Sequence, residues 1–309
     1  ILYFIFMNVF ILGAPRSGTT FLASLLTKTR FASPFETQFI VKYYKKLSLY
    51  GDLVHRKNFN RLVKDILSER AVRQWKLEIN LGEFYVALEG KRNYVNIIDA
   101  LCTRRNNMIG FNFWGDKTPH YLADFEIIYN LFPDSYYLYI VRDGRDVALS
   151  LLLKEWGPDN IYACAEYWKR LNVEHPAFVE LEKKGKLLFL RYEDLLDNTE
   201  EYVTKVYNFL GEKIDENKIL KLSSTVQAGN YFKWRNNMSP KQIQIFDQVA
   251  GNTLKRFGYE TNSASENLSP LVKMLYLIHD RFDHVIFLFK TNIIDGFKIR
   301  FLGKEPFTD

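Results

Sequence analysis

Short, nearly unbroken apolar runs alternate along this chain with stretches in which apolar and charged residues mix at helical spacing. The runs lie at Asn8 to Leu12, Met108 to Trp114, Tyr136 to Val141 and Lys186 to Arg191. Each is closed by polar or turn-forming residues and reads as a buried strand. Thr19 to Arg30 carries Phe21, Leu22, Leu25 and Leu26 on one face, which predicts a helix directly after the first strand. A second helix is expected after Ser33-Pro34. Tyr121 to Leu131 predicts another, closed by Pro133. Residues 57 to 106, with interruptions near Gly82 and Gly90, read as a helical cap. Strands that alternate with helices imply an α/β protein with a central parallel sheet flanked by helices.

Between the first strand and its helix stands Gly13-Ala14-Pro15-Arg16-Ser17-Gly18-Thr19-Thr20. Glycines in such a loop let successive backbone N–H groups turn toward phosphate oxygens, and the helix start adds its positive dipole end. The outline is that of a P-loop, but Thr19 stands where a nucleotide triphosphatase keeps its lysine, and Arg16 is the nearest cation. Triphosphate hydrolysis also needs magnesium held by an acidic strand end. Here the strand Tyr136 to Val141 ends in Arg142, which attracts an anion and repels a metal. The pocket therefore suits a nucleotide with two separated phosphate groups and metal-free transfer. The loop after Leu12, Lys117, Arg142 and Tyr192 all fall at expected carboxyl ends of strands, where ligands of open parallel sheets bind.

The 309 residues, 47% of them apolar, are enough for one large core. A net charge of +6 suits an anionic ligand, but the basic residues are dispersed and form no nucleic-acid signature, so nucleic acid is not the expected partner. Two cysteines, Cys102 and Cys164, supply neither a disulfide framework nor a zinc set and read as buried thiols in a reducing compartment. His279 and His284 are five apart, off the zinc-helix spacing, and no metal site is expected. The apolar stretch Ile1 to Leu12 is too short for a bilayer span and contains the first strand. A cytoplasmic, bacterial protein is the expectation. A Golgi-lumenal domain trimmed of its anchor is the alternative, one in which the acceptor patterns at Asn237 and Asn267 would matter.

Pro15-Arg16-Ser17-Gly18-Thr19-Thr20, taken with Val141-Arg142-Asp143-Gly144-Arg145-Asp146-Val147-Ala148-Leu149-Ser150, resembles the sulfotransferase superfamily, and the pattern is most similar to its tyrosylprotein and carbohydrate branch. The resemblance implies a three-layer fold of P-loop NTPase-like topology. It also implies a donor, 3′-phosphoadenosine 5′-phosphosulfate (PAPS), whose product is 3′-phosphoadenosine 5′-phosphate (PAP). On that resemblance residues 15 to 20 hold the 5′-phosphosulfate. Arg142 and Ser150, eight apart, hold the 3′-phosphate, while Arg145 reads as an exposed helix residue. Tyr192 lies near the adenine, and Lys233 and Arg235 belong to a late basic loop. Asp194 to Gly211, with Leu195, Leu196, Val203, Val206, Phe209 and Leu210, resembles the family's helix after its Tyr-Glu-Asp-Leu segment. Lys117 approaches the leaving phosphate, alongside Arg16. A hydroxyl acceptor needs a general base. Glu36, in Pro34-Phe35-Glu36-Thr37-Gln38, is the first candidate and His120 the second.

These readings give a catalytic domain over residues 1 to 259, with a cap at about 34 to 106, and a C-terminal extension over 260 to 309. Residues 260 to 268 are linker-like. A helix and an apolar stretch, His284 to Phe289, follow, and packing on the core or homodimerisation are the roles open to them. The acceptor class is open among glycan, phenol, peptide and small metabolite. Two other functions compete. A P-loop kinase-like phosphotransferase would require tight binding of magnesium-ATP, and a non-catalytic nucleotide- or glycan-binding module would show no turnover.

Overall fold

The computed structural model describes residues 8–27, 29–224, 226, 229–261 and 268–289. The chain forms two compact units, Ile1–Val141 with Glu174–Ala228, and Arg142–Val173 with Gly229–Asp309. The opening segment of the first unit contains β1 (Val9–Leu12), α1 (Thr19–Leu25), α2 (Phe39–Tyr44), α3 (Arg56–Ser68), α4 (Arg70–Arg73), α5 (Leu81–Ala87), α6 (Tyr94–Asn107), β2 (Gly115–Asp116), α7 (Phe125–Leu131) and β3 (Tyr136–Val141). The chain then gives α8 (Gly144–Leu151) and α9 (Ile161–Leu171) to the second unit. It returns to the first with α10 (Pro176–Lys183), β4 (Leu187–Arg191), α11 (Tyr192–Asp197), α12 (Thr199–Phe209) and α13 (Glu216–Ser223). The second unit is completed by α14 (Trp234–Asn237), α15 (Pro240–Arg256) and α16 (Pro270–Phe289). The asparagine of the acceptor pattern at Asn267, most of the linker at 260 to 268 and residues 290 to 309 lie outside the described residues.

The four strands form one parallel sheet in the order β2-β1-β3-β4, the α/β arrangement expected. Every residue of β1 is buried, so the strand must be apolar on both faces, as Val9-Phe10-Ile11-Leu12 is. Phe10 anchors the middle of the sheet, with ring centroids 5.7 Å from Trp114, 5.3 Å from Phe132 and 5.6 Å from Tyr137.

Several boundaries differ from the sequence reading. The run Met108 to Trp114 does not form a strand. Met108 and Ile109 are exposed in the turn that ends α6, and the Asn106 carboxamide donates to the carbonyls of Phe31 and Phe113 at 3.2 and 2.6 Å, fixing an irregular path. Only Gly115 and Asp116 pair with β1. The helix expected over Thr19 to Arg30 stops at Leu25, where Thr29 Oγ1 donates to the Leu26 carbonyl at 2.7 Å and closes the chain into a turn. The interruptions near Gly82 and Gly90 fall at residues 74–80 and 88–93, and Gly82 itself is helical. It lies in the first turn of α5, whose N-terminus Asn80 caps by accepting from the Gly82 and Glu83 amides. Residues 121 to 131 divide into a 3₁₀ turn, Pro119–Leu122, and α7, and residues 194 to 211 divide at Asn198 into α11 and α12.

In the second unit Trp168 of α9 packs against Phe246 of α15, with ring centroids 6.1 Å apart. Gly144 opens α8 there because a Cβ would come within 2.5 Å of the Trp168 ring. The capping box Ser239–Gln242 starts α15. Tyr276 of α16 stacks on Tyr162 at 5.6 Å, and its carbonyl accepts from Asn160 Nδ2 at 3.0 Å. Cys102 and Cys164 are buried free thiols, as the sequence suggests. No described helix is long and apolar enough to cross a membrane.

Because Phe10 touches three aromatic rings, Phe10→Ala should leave a cavity and destabilise the protein by about 3–5 kcal/mol. Urea unfolding should show a lower midpoint with an unchanged slope, whereas a wild-type midpoint would contradict the packing.

Candidate functional site

The loop between β1 and α1 reverses direction through two residues with positive φ, Arg16 at 71° and Gly18 at 90°. At Gly18 the absence of a side chain is required twice over. The left-handed backbone disfavours one, and a Cβ would lie 2.4 Å from the Tyr192 ring. The loop is stitched by the Ser17 amide donating to the Ala14 carbonyl at 3.1 Å. Ser17 Oγ is buried with no hydrogen-bond partner among the described residues. A buried hydroxyl without a partner is costly in a closed core and reasonable in a cradle that expects an anion. Pro15 and Thr19 are also buried, whereas Arg16 and Thr20 are exposed. Since α1 has only seven residues, the helix adds less than the sequence suggests, and the loop itself carries the site.

A second group of residues meets where the segment after Pro34 lies alongside the end of β2. Phe35 pairs with Asp116 as an isolated parallel bridge, its amide donating to the Gly115 carbonyl at 3.2 Å and its carbonyl accepting from the Lys117 amide at 2.8 Å. Gly115 permits this approach, because a Cβ there would meet Pro34 and Val9 within 3 Å. One step along, Glu36 and Lys117 face each other, with Lys117 Nζ donating to Glu36 Oε1. The other Glu36 oxygen accepts from Gln38 Nε2 at 2.9 Å. His120 is exposed on the 3₁₀ turn that follows.

What holds this pair in register is a residue the sequence reading missed. The side chain of Asp116 is buried. Its Oδ2 accepts from the Thr37 amide at 2.9 Å and from Thr118 Oγ1 at 3.0 Å, and its Oδ1 accepts from the Thr118 amide at 2.8 Å. Burial pushes its carboxyl from the ordinary 3.8 up to about 6, with the Thr37 and Thr118 donors pulling it back part of the way. The available signal was an acidic residue directly before Lys117 at the end of an apolar run.

The second unit assembles the other basic residues. Arg142 directly follows β3, and Ser150 stands half-buried two turns into the next helix, as the spacing suggests. Arg142 Nη2 donates to Asp146 Oδ2 at 3.2 Å and to the Asn230 carbonyl at 3.4 Å. Lys233 and Arg235 are exposed around the start of α14, and Trp234 between them is buried. Arg145 is not the exposed helix residue that its position suggests. It is buried, donates through Nε and Nη2 to the two Asp143 oxygens at 3.0 and 2.8 Å, and reaches Asp247 at 3.5 Å. An arginine this deep requires such paired carboxylates. Among the described residues no cluster of three or more His, Cys, Asp or Glu side chains is arranged to hold a metal ion.

A four-stranded parallel sheet flanked by helices, with a glycine-containing loop after its first strand and an arginine after β3, defines an α/β fold with a loop suited to an anion. The family follows from direct comparison: a profile of the sulfotransferase family matches residues 8–216, and the chain belongs to that family. Nodulation protein NoeE of Sinorhizobium fredii (strain NBRC 101917 / NGR234) is 23% identical over 299 residues, covering 81% of this chain. The chain spans 65% of the length of NoeE. Among solved structures, the sulfotransferase domain of the Synechococcus PCC 7002 olefin synthase is similar in fold, with a TM-score of 0.50 and 20% identity over 82% of this chain and 94% of that one.

The raised Asp116 carboxyl makes opposed predictions for activity and stability. Above about pH 6 it is a carboxylate that accepts all three bonds, and below that an O–H intrudes among donors and loosens the Glu36–Lys117 register. Catalytic turnover should therefore fall as pH drops through 6, and the limb should vanish in a uniformly slow Asp116→Asn variant. Stability runs the other way, because the folded pKa is raised: the contribution is complete below the unfolded value of 3.8 and is lost as pH rises through about 6. The ionised group costs about 3 kcal/mol at pH 7. An acid limb of activity that persists unchanged in Asp116→Asn would refute the assignment.

Proposed function

We propose that this chain transfers a sulfuryl group from PAPS to a hydroxyl or amine acceptor, without a metal ion. The observation that carries the reading is the arginine after β3. Arg142 with Ser150 suits a 3′-phosphate, where a nucleotide triphosphatase would need an acidic residue for magnesium. The donor also fits the loop, since the buried Ser17 hydroxyl, which has no partner among the described residues, suits a phosphosulfate oxygen. Pro15, Arg16, Ser17, Gly18, Thr19 and Thr20 hold that end, Tyr192 lies by the adenine, and Lys233 and Arg235 add charge toward the 3′-phosphate.

In the transfer the acceptor oxygen attacks sulfur as the bond from sulfur to the phosphate oxygen breaks, leaving PAP. Lys117 and Arg16 neutralise the charge that grows on the leaving phosphate, and preorganised charge of this kind supplies most of the acceleration. Glu36 takes the acceptor proton. Its contact with Lys117 holds it beside the group the lysine would also reach, which favours it over the exposed His120.

The reading includes a catalytic domain over residues 1 to 259, with the cap at 34 to 106 shaping the acceptor pocket and residues 260 to 309 an extension. Exposed Leu271, Leu275, Ile278, Phe282 and Val285 recur along α16 at alternating four- and three-residue steps, a spacing that suits pairing with a second copy of the chain. Buried free cysteines favour a reducing, cytoplasmic setting.

Two measurements test this reading. Calorimetry should show far tighter binding of PAP than of the nucleotide lacking the 3′-phosphate. Arg142→Ala should remove most of the difference, a factor of about ten to a hundred for one charge-assisted contact. Equal affinity of the wild type for both nucleotides would defeat the donor assignment. With a radiolabelled donor and a panel of acceptors, Glu36→Gln should slow transfer about a hundredfold to ten-thousandfold while PAP affinity survives. A near wild-type rate for Glu36→Gln beside a large loss for His120→Ala would transfer the role to the histidine.

A further inference from the structure

The second unit keeps a buried carboxylate against the very arginine that is to attract an anion. The Asp146 side chain is fully buried, and its two oxygens serve different partners. Oδ2 accepts from Arg142 Nη2 at 3.2 Å, and Oδ1 accepts from the backbone amide of Trp234 at 3.0 Å. Arg142 makes a second tie to the same segment through the Asn230 carbonyl at 3.4 Å. The Trp234 side chain is held as well, because the Arg145 guanidinium lies 3.6 Å from the ring centroid while bound to Asp143 and Asp247. Asp143 also caps α8, accepting from the Arg145 amide at 2.9 Å.

Two explanations of Asp146 predict opposite signs. As a counter-ion only, it weakens the site, and removing its charge should strengthen the binding of any anion at Arg142. As a clamp, it fixes the arginine and the late basic segment in one geometry, and removing it should weaken binding although the site becomes more positive. The shared use of one carboxylate by Arg142 and by the Trp234 amide favours the clamp, since a counter-ion needs no contact with the backbone of Trp234. We propose that Asp146 is a positioning residue that pre-assembles the 3′-phosphate subsite, holding Arg142 and the segment carrying Lys233 and Arg235 in place before the nucleotide arrives. The proposal rests on the reading of Arg142 and Ser150 as the 3′-phosphate site.

Asp146→Asn tests it, because the amide keeps one acceptor but turns an N–H₂ toward Arg142 or Trp234, so both partners cannot be held. Affinity for PAP should fall about tenfold or more, as for loss of a charge-assisted contact, while affinity for the nucleotide lacking the 3′-phosphate stays within about twofold. The donor KM should rise with kcat at saturating donor little changed. Unchanged or tighter PAP binding would overturn the proposal. A wild type without any preference for the 3′-phosphate would remove the underlying reading and the proposal with it. If only the wild type intact before the substitution stays folded, hydrogen exchange on that protein decides. The Trp234 amide should be protected without nucleotide and gain little when PAP is added. Exchange at the open-chain rate until PAP binds would show that the nucleotide, not Asp146, orders the segment.

Discussion

The Asp116 carboxylate accepts three hydrogen bonds from Thr37 and Thr118, and the placement of Glu36 against Lys117 depends on them. β2 is only two residues long and cannot hold the segment after Pro34 by strand pairing alone. The carboxylate supplies the missing hydrogen bonds at the point where the ladder stops, so Glu36 emerges facing Lys117 and not one residue out of step. A shift of one residue along such a pair would send both side chains to the opposite face. Tyr121, whose hydroxyl lies 2.8 Å from Thr37 Oγ1 and accepts from the Ile40 amide at 2.9 Å, extends the same network to the start of α2. The cap then bears on it from above, with Trp75 against Phe35 at 4.9 Å and the Arg105 guanidinium 4.0 Å from the Phe35 ring centroid.

The two units solve a similar problem with different chemistry. In the first, a buried acid is satisfied by backbone amides and threonine, which leaves its proton affinity high and its geometry dependent on pH. In the second, Asp143 and Asp146 are satisfied by guanidinium groups together with one backbone amide each, and the planar fork of Arg145 sets direction as well as charge. Such buried ion clusters add little net stability compared with apolar packing, because desolvation offsets attraction. Their value lies in specifying one arrangement for residues that must otherwise repel, among them Arg142, Lys233 and Arg235.

Much of the sheet was legible because full burial demands unbroken apolar runs. β1, β3 and β4 appear almost at their sequence boundaries, and the turn at Gly18 was marked by its residue type. The short β2 was not legible. Phe111, Phe113 and Trp114 resemble strand residues, but Asn106 claims the carbonyl of Phe113, and that contact comes from a residue in a different element. The site was legible where a motif is local, as in residues 15 to 20 or the Arg142 to Ser150 spacing. It was illegible where one side chain organises partners far away in sequence. Asp116 reaches back 79 positions to Thr37, and Asp146 reaches forward 88 to Trp234. Arg145 was misread for the same reason, since its place on an amphipathic helix says nothing of Asp247 or the Trp234 ring.

The contact between Gly18 and Tyr192 joins two parts of the proposed donor site that are usually considered apart. Tyr192 closes over the loop so tightly that even one carbon at position 18 would displace the ring. Any change in the phosphate loop that needs a side chain there must be preceded by a smaller residue at 192, and a smaller residue at 192 would leave the loop's inner face uncovered. The two positions therefore constrain each other's history. A change of donor shape at this loop would therefore require coordinated substitutions at both positions, whereas the cap, proposed to shape the acceptor pocket, is free of this constraint.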